Sequence, residues 1–409
     1  MMRLRIVLLL ALSMMPVMAH AQTLPPPPTG PQVDPADTAK VRIGPFFMQP
    51  AFGLKNVGLD NNVFNDPADP KKDWTATLNL GTLAGLRYGA ARLTLNTSTD
   101  YVFYSKYKTE RSVDGNTRVQ AELRLNRLRP WIGMDRIKTH DRAGFEIDSR
   151  AARETPGYDA GVEYRVGFRL GTRLMVRRRD VDFEDEEVFR GKTLKDTLNA
   201  RYEEGSVQLL YEMSPLSNFR LSGEYSRARF ETAAARNSDD TAVFAGIEGK
   251  KDAALEGYVD VGWRNRSSLD PLSPSYSTIT ARAAASFIVW EEVRVSFGAD
   301  RDLNWSYEDL YTFYVQQGGT ATVTWRPHDR FDFVVNGRSY DLIYDRAISE
   351  LAVLRTDHSF SYGGGVGFFI RGYPGTRLGL MVERNARESV LADRRYDNTR
   401  FLTNIGFSF

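Results

Sequence analysis

The sequence of 409 residues contains no cysteine. This absence excludes a disulfide framework, a thiolate metal site, a cysteine nucleophile and a lipid anchor on an N-terminal cysteine. Histidine is almost as scarce, and none of the histidines has a second histidine or a glutamate beside it at ligand spacing. The four are His20, His140, His328 and His358. We therefore predict no metal site and no cofactor.

The sequence also lacks a charge surplus and the common catalytic motifs. Its 54 basic and 52 acidic residues leave a net charge of +2, which gives no basic footprint for nucleic acid. No G-x-S-x-G, Walker, H-E-x-x-H or dinucleotide motif occurs. Beyond the N-terminus, no uncharged apolar run reaches the roughly 18 residues that a membrane helix needs. We predict neither an enzyme nor an inner-membrane helix bundle.

The N-terminus has the pattern of a secretory signal peptide. Arg3 and Arg5 precede an apolar core from about Ile6 to Met18, and a small-residue site ends at Ala21. The order of charge, apolar core and small residues predicts residues 1–21 as a signal peptide cleaved after Ala21. Residues 22–45 are rich in proline and poor in core residues, which predicts an extended periplasmic linker of polyproline character. We expect the chain to be exported.

Residues 46–409 alternate between apolar and polar side chains, the period of β-strands. We count about eighteen strands, whose connections are alternately short and long. The fold class predicted is all-β, a transmembrane antiparallel up-and-down barrel with short periplasmic turns and longer external loops. A soluble sandwich is the alternative, but these strands are longer than the ~5 to 6 residues of globular sheets and their polar face is charged.

One segment leaves the strand count open. Within residues 195–212, the run Glu203, Glu204 and Gly205 could be a turn between two short strands or a bulge in one long strand. A single strand keeps short and long connections in alternation. We therefore predict eighteen strands, with both chain ends on the periplasmic side.

The last strand carries an aromatic assembly signal. Phe401, Ile405, Phe407 and Phe409 fall on one face, and the chain stops on the last of them. This strand resembles the C-terminal targeting strand of bacterial outer-membrane barrels, which typically ends in Phe. It implies the barrel-assembly machinery and outer-membrane lipid as partners. Because a final strand without a tail needs a partner for its edge, we expect it to pair with residues 46–57 and close the sheet.

The polar faces of the strands predict the lining of the lumen. Arginine is preferred to lysine there, which suits planar pairing with carboxylates or with an acidic ligand. The candidates are Arg173, Arg177, Arg179, Arg220, Arg264, Arg282, Arg294, Arg338, Glu256, Asp260, Asp300, Tyr258, Tyr314 and Tyr340. Two interpretations stay open: a polar conduit for hydrophilic or anionic solute, or internal ion pairs that fill the lumen and fix its register. The tyrosines could stack on sugar rings or only fill space.

The first strand and loop carry a family resemblance. The stretch PFFMQPAFGLKNVGLDNNVFND is similar to the opening of the porin 2-type family of outer-membrane β-barrels. The residues that carry it are Pro50, Gly53, Asp60, Asn61, Asn62, Val63 and Phe64. Members linked to capsule-type clusters are EpsL-like exopolysaccharide barrels, which implies a polysaccharide and periplasmic export components as partners. Asp60 and Asn61 also fit a tight turn after a strand, which needs no ligand.

Two classes of function follow from these patterns. The resemblance implies a passive channel in the outer membrane of a Gram-negative bacterium, through which exopolysaccharide leaves the cell. The alternative is a general porin for small solutes, or a closed barrel with a structural role. The residues leave the transported solute, the open or plugged state of the lumen and the oligomeric state undetermined.

Overall fold

The computed structural model of the protein describes residues 35–39, 41–250, 253, 255–344, 354–370 and 376–408. The predicted signal peptide, its cleavage site at Ala21, the proline-rich part of the linker up to residue 34 and the terminal Phe409 lie outside the described residues. No helix within the described ranges is both long enough and apolar enough to cross a bilayer.

Within these described residues, eighteen antiparallel strands form a closed ring, which confirms the predicted fold class and strand count. The ring is built from β2 (Phe46–Asp60), β3 (Asp73–Tyr88), β4 (Ala91–Tyr104), β5 (Ser112–Leu123), β6 (Leu128–Thr139), β7 (Arg153–Arg165), β8 (Leu170–Phe183), β11 (Ala200–Ser214), β12 (Ser217–Phe230), β13 (Ser238–Gly249), β14 (Glu256–Ser268), β15 (Tyr276–Trp290), β16 (Val293–Trp305), β17 (Phe313–His328), β18 (Phe331–Tyr344), β19 (Arg355–Phe369), β20 (Arg377–Glu388) and β21 (Tyr396–Ser408). Each pairs with its neighbours in sequence order.

Short elements complete the described fold. They are β1 (Val41–Ile43), β9 (Val188–Phe189), β10 (Lys192–Thr193), the helices α1 (Pro35–Thr38) and α2 (Leu194–Leu198), and 3-10 turns at Lys108–Glu110, Ala234–Arg236 and Ala392–Arg394. Strand β1 pairs with the first three residues of β2, where β21 no longer reaches. It therefore covers a strand edge that would otherwise lie open.

The seam between the first and last strands is where the ring closes. Phe407 pairs with Phe52 across it, and their rings stack with centroids 4.5 Å apart. A bulge interrupts the pairing at Asn56, which has a positive φ of 54° and whose backbone N–H donates to the Asn404 side chain at 2.8 Å. The predicted pairing of the final strand with residues 46–57 is confirmed.

The ambiguous segment is one strand. Glu203, Glu204 and Gly205 pair in unbroken register with both neighbours, so they form neither a turn nor a bulge. The strand begins at Ala200 and not at Lys195 as predicted, because Leu194–Leu198 forms helix α2. Both terminal leucines of this helix are buried, and their burial favours the helix over a longer strand.

The wall alternates as the sequence predicts. In β12, Phe219 and Leu221 are 40% and 41% exposed on the outside, whereas the intervening Arg220 and Ser222 are 1% and 2% exposed on the inside. An outward apolar face suits hydrocarbon, and an inward polar face suits a lumen. Among the connections that are fully described, those of seven residues or more lie at one end of the barrel, and those of four residues or fewer lie at the other.

A hydrophobic core fills the long-loop end, which the alternation did not predict. It joins the inward ends of several strands with loop residues. Its members are Ala143, Ile147, Ala151, Val181, Phe183, Phe189, Leu194, Leu198, Ala200, Tyr202, Ala228, Phe230, Leu303, Trp305, Tyr307, Phe313 and Val315. The lumen is therefore packed at this end.

The end of the predicted linker is not extended. Residues 35–38 form α1, and Ala36 and Ala39 pack on the inward Phe47 of β2. Asp37 accepts a hydrogen bond from Arg87 at 2.6 Å. The segment thus docks at the short-turn end of the barrel.

Candidate functional site in the lumen

All the predicted lumen residues lie on the inward side of the wall, in the same alternation as Arg220. The register between neighbouring strands, which sequence periodicity cannot give, decides which of them meet. They meet mainly in ion pairs. These fall into two polar groups in the wall, and a third group lies beneath a loop that crosses the lumen.

The first polar group is centred on Asp260, which is 1% exposed. Arg220 and Arg282 both donate to it, the second at 3.0 Å, and Arg282 also donates to Glu224 at 2.7 Å. Tyr258 lies beside this group, with the Arg220 guanidinium 5.1 Å from its ring centroid. These contacts support the interpretation of an internal ion-pair network at this level.

The same side of the lumen continues with further pairs. Arg264 contacts Asp302 at 2.8 Å, and Arg294 contacts Glu256 at 3.4 Å and Ser286 at 3.2 Å. Most of these arginines therefore neutralise a carboxylate two strands away in the ring.

The second polar group contains the run of arginines on β8. Arg173 donates to Glu163 at 3.0 Å and to Gln208 at 3.3 Å, whereas Arg177 contacts Asp135 at 3.4 Å. The Arg179 guanidinium lies 5.6 Å from the centroid of the Tyr202 ring. The three arginines share a face, as predicted, but each contacts a different partner. They do not form one continuous cationic track.

A loop folded across the lumen dominates the long-loop end. This lumen loop, residues 140–152, connects β6 to β7 and touches the wall at β18. Strands β7 and β18 are the sixth and fifteenth of the eighteen in the ring, so they face each other across it. The loop therefore spans the interior and does not point away from the barrel.

Glu146 anchors the lumen loop to the opposite wall and is 1% exposed. One carboxylate oxygen accepts hydrogen bonds from the Ser306 hydroxyl at 2.6 Å and the Tyr344 hydroxyl at 2.9 Å. The other accepts from the Tyr307 backbone N–H at 3.0 Å. Burial raises the pKa of the Glu146 carboxyl, although the nearby Arg394 opposes the shift.

Two buried arginines hold the backbone of the same turn. Arg387 donates to the carbonyl of Phe145 at 2.9 Å and to that of Glu146 at 3.2 Å. Arg394 donates to the Glu146 carbonyl at 2.7 Å and to the Tyr307 hydroxyl at 2.7 Å. The anchor therefore combines three donors to the carboxylate with two guanidiniums on the main chain.

Aromatic side chains lie beneath the loop. The Phe145 ring stacks on Tyr340 with centroids 4.3 Å apart, and the Arg338 guanidinium lies 5.2 Å from the Phe145 centroid. Tyr340 donates to Asp300 at 2.7 Å. Tyr314, only 2% exposed, packs against Tyr344 at 5.3 Å. The predicted Tyr314 and Tyr340 are thus covered in this conformation.

The near end of the lumen loop meets the loop that follows the first strand. The Asn65 side chain donates to the Asp148 carbonyl at 3.2 Å, and Arg142 donates to the Val63 carbonyl at 3.1 Å. This first loop belongs to the stretch that carries the family resemblance. Its residues therefore position the lumen loop.

Asp60 forms the predicted turn and also contacts the last strand. Its carboxylate accepts from the Asn62 backbone N–H at 2.9 Å, as in an Asx turn. It also accepts from Asn398 at 2.8 Å and from Arg400 at 3.0 Å, both on the last strand. The turn thereby ties the two ends of the chain together beside the lumen loop.

Sequence reasoning did not identify Glu146, Arg387 or Arg394. A faint signal exists for Glu146, because Phe145 and Ile147 flank it with apolar side chains in a segment predicted to be one of the longer external loops. No such signal marks the two arginines, whose strand and loop contain other arginines that are exposed.

Comparisons with known proteins agree with a porin-type barrel. Residues 34–329 match the family model described as "Putative beta-barrel porin 2". No curated protein sequence matches the chain. Solved structures similar to it include Pseudomonas aeruginosa OccK3 (OpdO), at 13% identity over 88% of this chain and 95% of that one, with a TM-score of 0.47. Another is Acinetobacter baumannii OccAB4, at 11% identity over 88% of this chain and 98% of that one, with a TM-score of 0.48. A third is Pseudomonas aeruginosa OpdK with vanillate, at 10% identity over 88% of this chain and 99% of that one, with a TM-score of 0.49.

Proposed function

The chain belongs to the "Putative beta-barrel porin 2" family and is an outer-membrane β-barrel channel, and from this premise we propose that it is a gated conduit for exopolysaccharide. The gate is the lumen loop. The observation that carries the proposal is the docking of this loop on a tyrosine- and arginine-lined wall, held there by the buried Glu146.

The wall beneath the loop has the chemistry that a sugar chain needs. Tyr314 and Tyr340 would offer ring faces once Phe145 moves away, and Arg338 and Asp300 stand beside them as donor and acceptor. Aromatic faces pack on the apolar faces of sugar rings while polar neighbours bind the hydroxyls. Undocking the loop would therefore open the lumen and expose a sugar-binding surface in one step.

Diffusion of small solutes is the second candidate. The hydrophobic core at the long-loop end favours it, because that packing would leave only narrow passages if the loop stayed docked. The two candidates differ in what must move: a polymer requires displacement of the lumen loop, whereas a small solute does not.

The deciding experiment removes the protein and then alters only the gate. Deletion in a polysaccharide-secreting host should abolish secretion of the polymer, and the wild-type chain should restore it. In planar bilayers, Phe145→Ala should give larger and longer openings that a soluble acidic oligosaccharide blocks. Unchanged secretion on deletion, combined with reduced uptake of small solutes, would replace the polysaccharide role by the porin role.

Export and partners complete the proposal. Cleavage after Ala21 would give a mature chain that starts at Gln22, which the intact mass of the purified protein measures directly. The docked α1 segment would hold the linker at the short-turn mouth, within reach of periplasmic export components. The barrel-assembly machinery would insert the chain through its final strand.

A further inference from the structure

We propose that the outer wall of the barrel carries a binding groove for a phosphorylated lipid of the outer leaflet. The groove has a volume of about 700 Å³ and crosses the strands between β4 and β12. Its outward lining includes Ile132, Met134, Tyr158 and Val176. This surface is separate from the lumen and from the proposed transport function.

The groove exists because small residues lie between large ones. Ala160 and Gly205 line it, and a Cβ added at Gly205 would meet no atom within 4 Å. The flanking Ile132 and Val176 are 64% and 62% exposed, so they stand out from the wall on the face that contacts hydrocarbon. A depression of this size on an apolar wall fits acyl chains.

One end of the groove changes abruptly from apolar to charged. On the outward face of β8, the residue after Val176 is Arg178. On the outward face of β12, the residue after Tyr225 is Arg227. A lipid-facing Arg is strongly destabilising at the bilayer midplane and nearly neutral close to the interface. The change therefore marks the membrane interface, and it lies toward the long-loop end that is predicted to be external.

The charges at this rim leave guanidinium donors for a ligand. Asp180 is shared by Arg178 at 3.2 Å and Arg201 at 2.9 Å, and both arginines are about half exposed. Arg227 donates to the Tyr225 hydroxyl at 3.1 Å, and within the described part of the chain no carboxylate lies within 4.0 Å of its guanidinium. Among the outward residues that line the groove itself, Arg178 and Arg227 are cations and Glu203 is the anion.

A phosphate group on the lipid matches this rim. Guanidinium forks bind phosphate oxygens in bidentate geometry and supply the stronger, charge-assisted hydrogen bonds. In a lipid whose head carries an ammonium group beside its phosphate, that ammonium group already neutralises the phosphate. Such a lipid would therefore bind the guanidiniums more weakly. The groove and rim together therefore select acyl chains joined to an uncompensated phosphate.

The test measures lipid retention on the purified full-length barrel by native mass spectrometry, with bisphosphorylated lipid A and its dephosphorylated form as probes. We expect the wild type to retain the phosphorylated probe about tenfold better, which is the scale of charge-assisted hydrogen bonds. Replacing Arg178→Gln and Arg227→Gln together should remove this preference. Gly205→Leu should fill the groove and reduce retention of both probes.

Gly337→Leu is the matched control. This glycine also points outward into open space and pairs with the exposed Tyr362, but it lies on β18, away from the groove. Its lipid retention should equal that of the wild type, and heat-modifiable gel mobility should show that every variant is folded. Equal retention of both probes, binding unchanged by Gly205→Leu, or competition by inorganic phosphate alone would each overturn the proposal.

Discussion

One buried carboxyl group is central to the contacts that hold the lumen loop in place. The Glu146 side chain accepts hydrogen bonds from Ser306 and Tyr307, in the connection after β16, and from Tyr344 on β18, so its protonation is coupled to docking of the loop. The pKa of this carboxyl is raised above its ordinary value of 4.5 when docked, chiefly because burial disfavours the charged form. The docked state thus binds a proton that the undocked state releases between these two pKa values.

The channel should therefore open more as the pH rises. Docking is strongest below the ordinary pKa of the carboxyl and weakens as the pH increases toward its raised value. Single-channel recordings between about pH 4 and about pH 8 should show an increasing open fraction for the wild type. Glu146→Gln keeps the shape but cannot titrate, so its open fraction should be independent of pH over this range. Identical pH profiles for both proteins would contradict the coupling.

Two arginines three residues apart provide a second test at this scale. Arg387 is fully buried against Asp357 at 2.6 Å and against the lumen loop, whereas the outward Arg384 forms an exposed pair with Asp397. Arg387→Ala breaks this buried pair, leaves Asp357 with the more distant Arg355 guanidinium at 3.5 Å, and should cost up to roughly 3–5 kcal/mol. Arg384→Ala should leave the stability close to that of the wild type, because an exposed ion pair contributes little to it.

Urea unfolding followed by gel mobility measures both variants. The Arg387→Ala midpoint should fall well below that of the wild type, while the Arg384→Ala midpoint should stay close to it. Equal midpoints for the two variants would show that the lumen loop is not anchored as described.

At the scale of elements, the final strand determines whether the barrel closes. Phe407 contributes a stacked ring to the seam, and Phe409 ends the chain in the same alternation. Phe407→Asp, or deletion of Phe409, should reduce the amount of heat-modifiable barrel in the outer membrane several-fold while leaving export to the periplasm intact. The physical reason is loss of the apolar face that the last strand presents to its partner and to lipid.

The control for the final strand is Val390→Asp. Val390 is an apolar residue of a connecting loop and is 63% exposed, so the same change of side-chain type there should leave assembly unaffected. Normal amounts of heat-modifiable barrel for the Phe407 and Phe409 variants would remove the assembly role from the terminal aromatic residues.

At the scale of the whole molecule, we expect the described part of the linker to contribute little to the stability of the barrel. Segment α1 packs small side chains on Phe47 and forms an exposed pair between Asp37 and Arg87. Removing residues 22–40 from the exported chain should therefore leave the urea midpoint of the barrel unchanged, because such pairs contribute about 0–1 kcal/mol. Polymer secretion should nevertheless decrease if the linker recruits periplasmic components. A barrel that no longer folds would show that the linker is structural.

Local periodicity made much of the architecture predictable. Alternation with period two is a property of each strand by itself, so it gives the strand number, the inward Arg220 and the outward Phe219 without knowledge of the neighbours. It even gives the pairing of the first and last strands, because a closed ring leaves no other partner for the final edge. Periodicity did not predict the helix at Leu194–Leu198, because the burial of its leucines, and not the period of its sequence, determined its conformation.

The contacts that hold the lumen loop could not be predicted from the sequence. The lumen loop was predicted to be external, yet its Glu146 meets Ser306, 160 positions later, and Tyr344, 198 positions later. Likewise, Arg173, Arg177 and Arg179 share a face by periodicity, but only strand register gave them separate partners. The sequence by itself determined a barrel with an apolar outside and a polar inside, because those depend on neighbours two residues apart. Tertiary structure alone decided that a loop crosses the lumen and what holds it, because those contacts join residues brought together only when the ring closes.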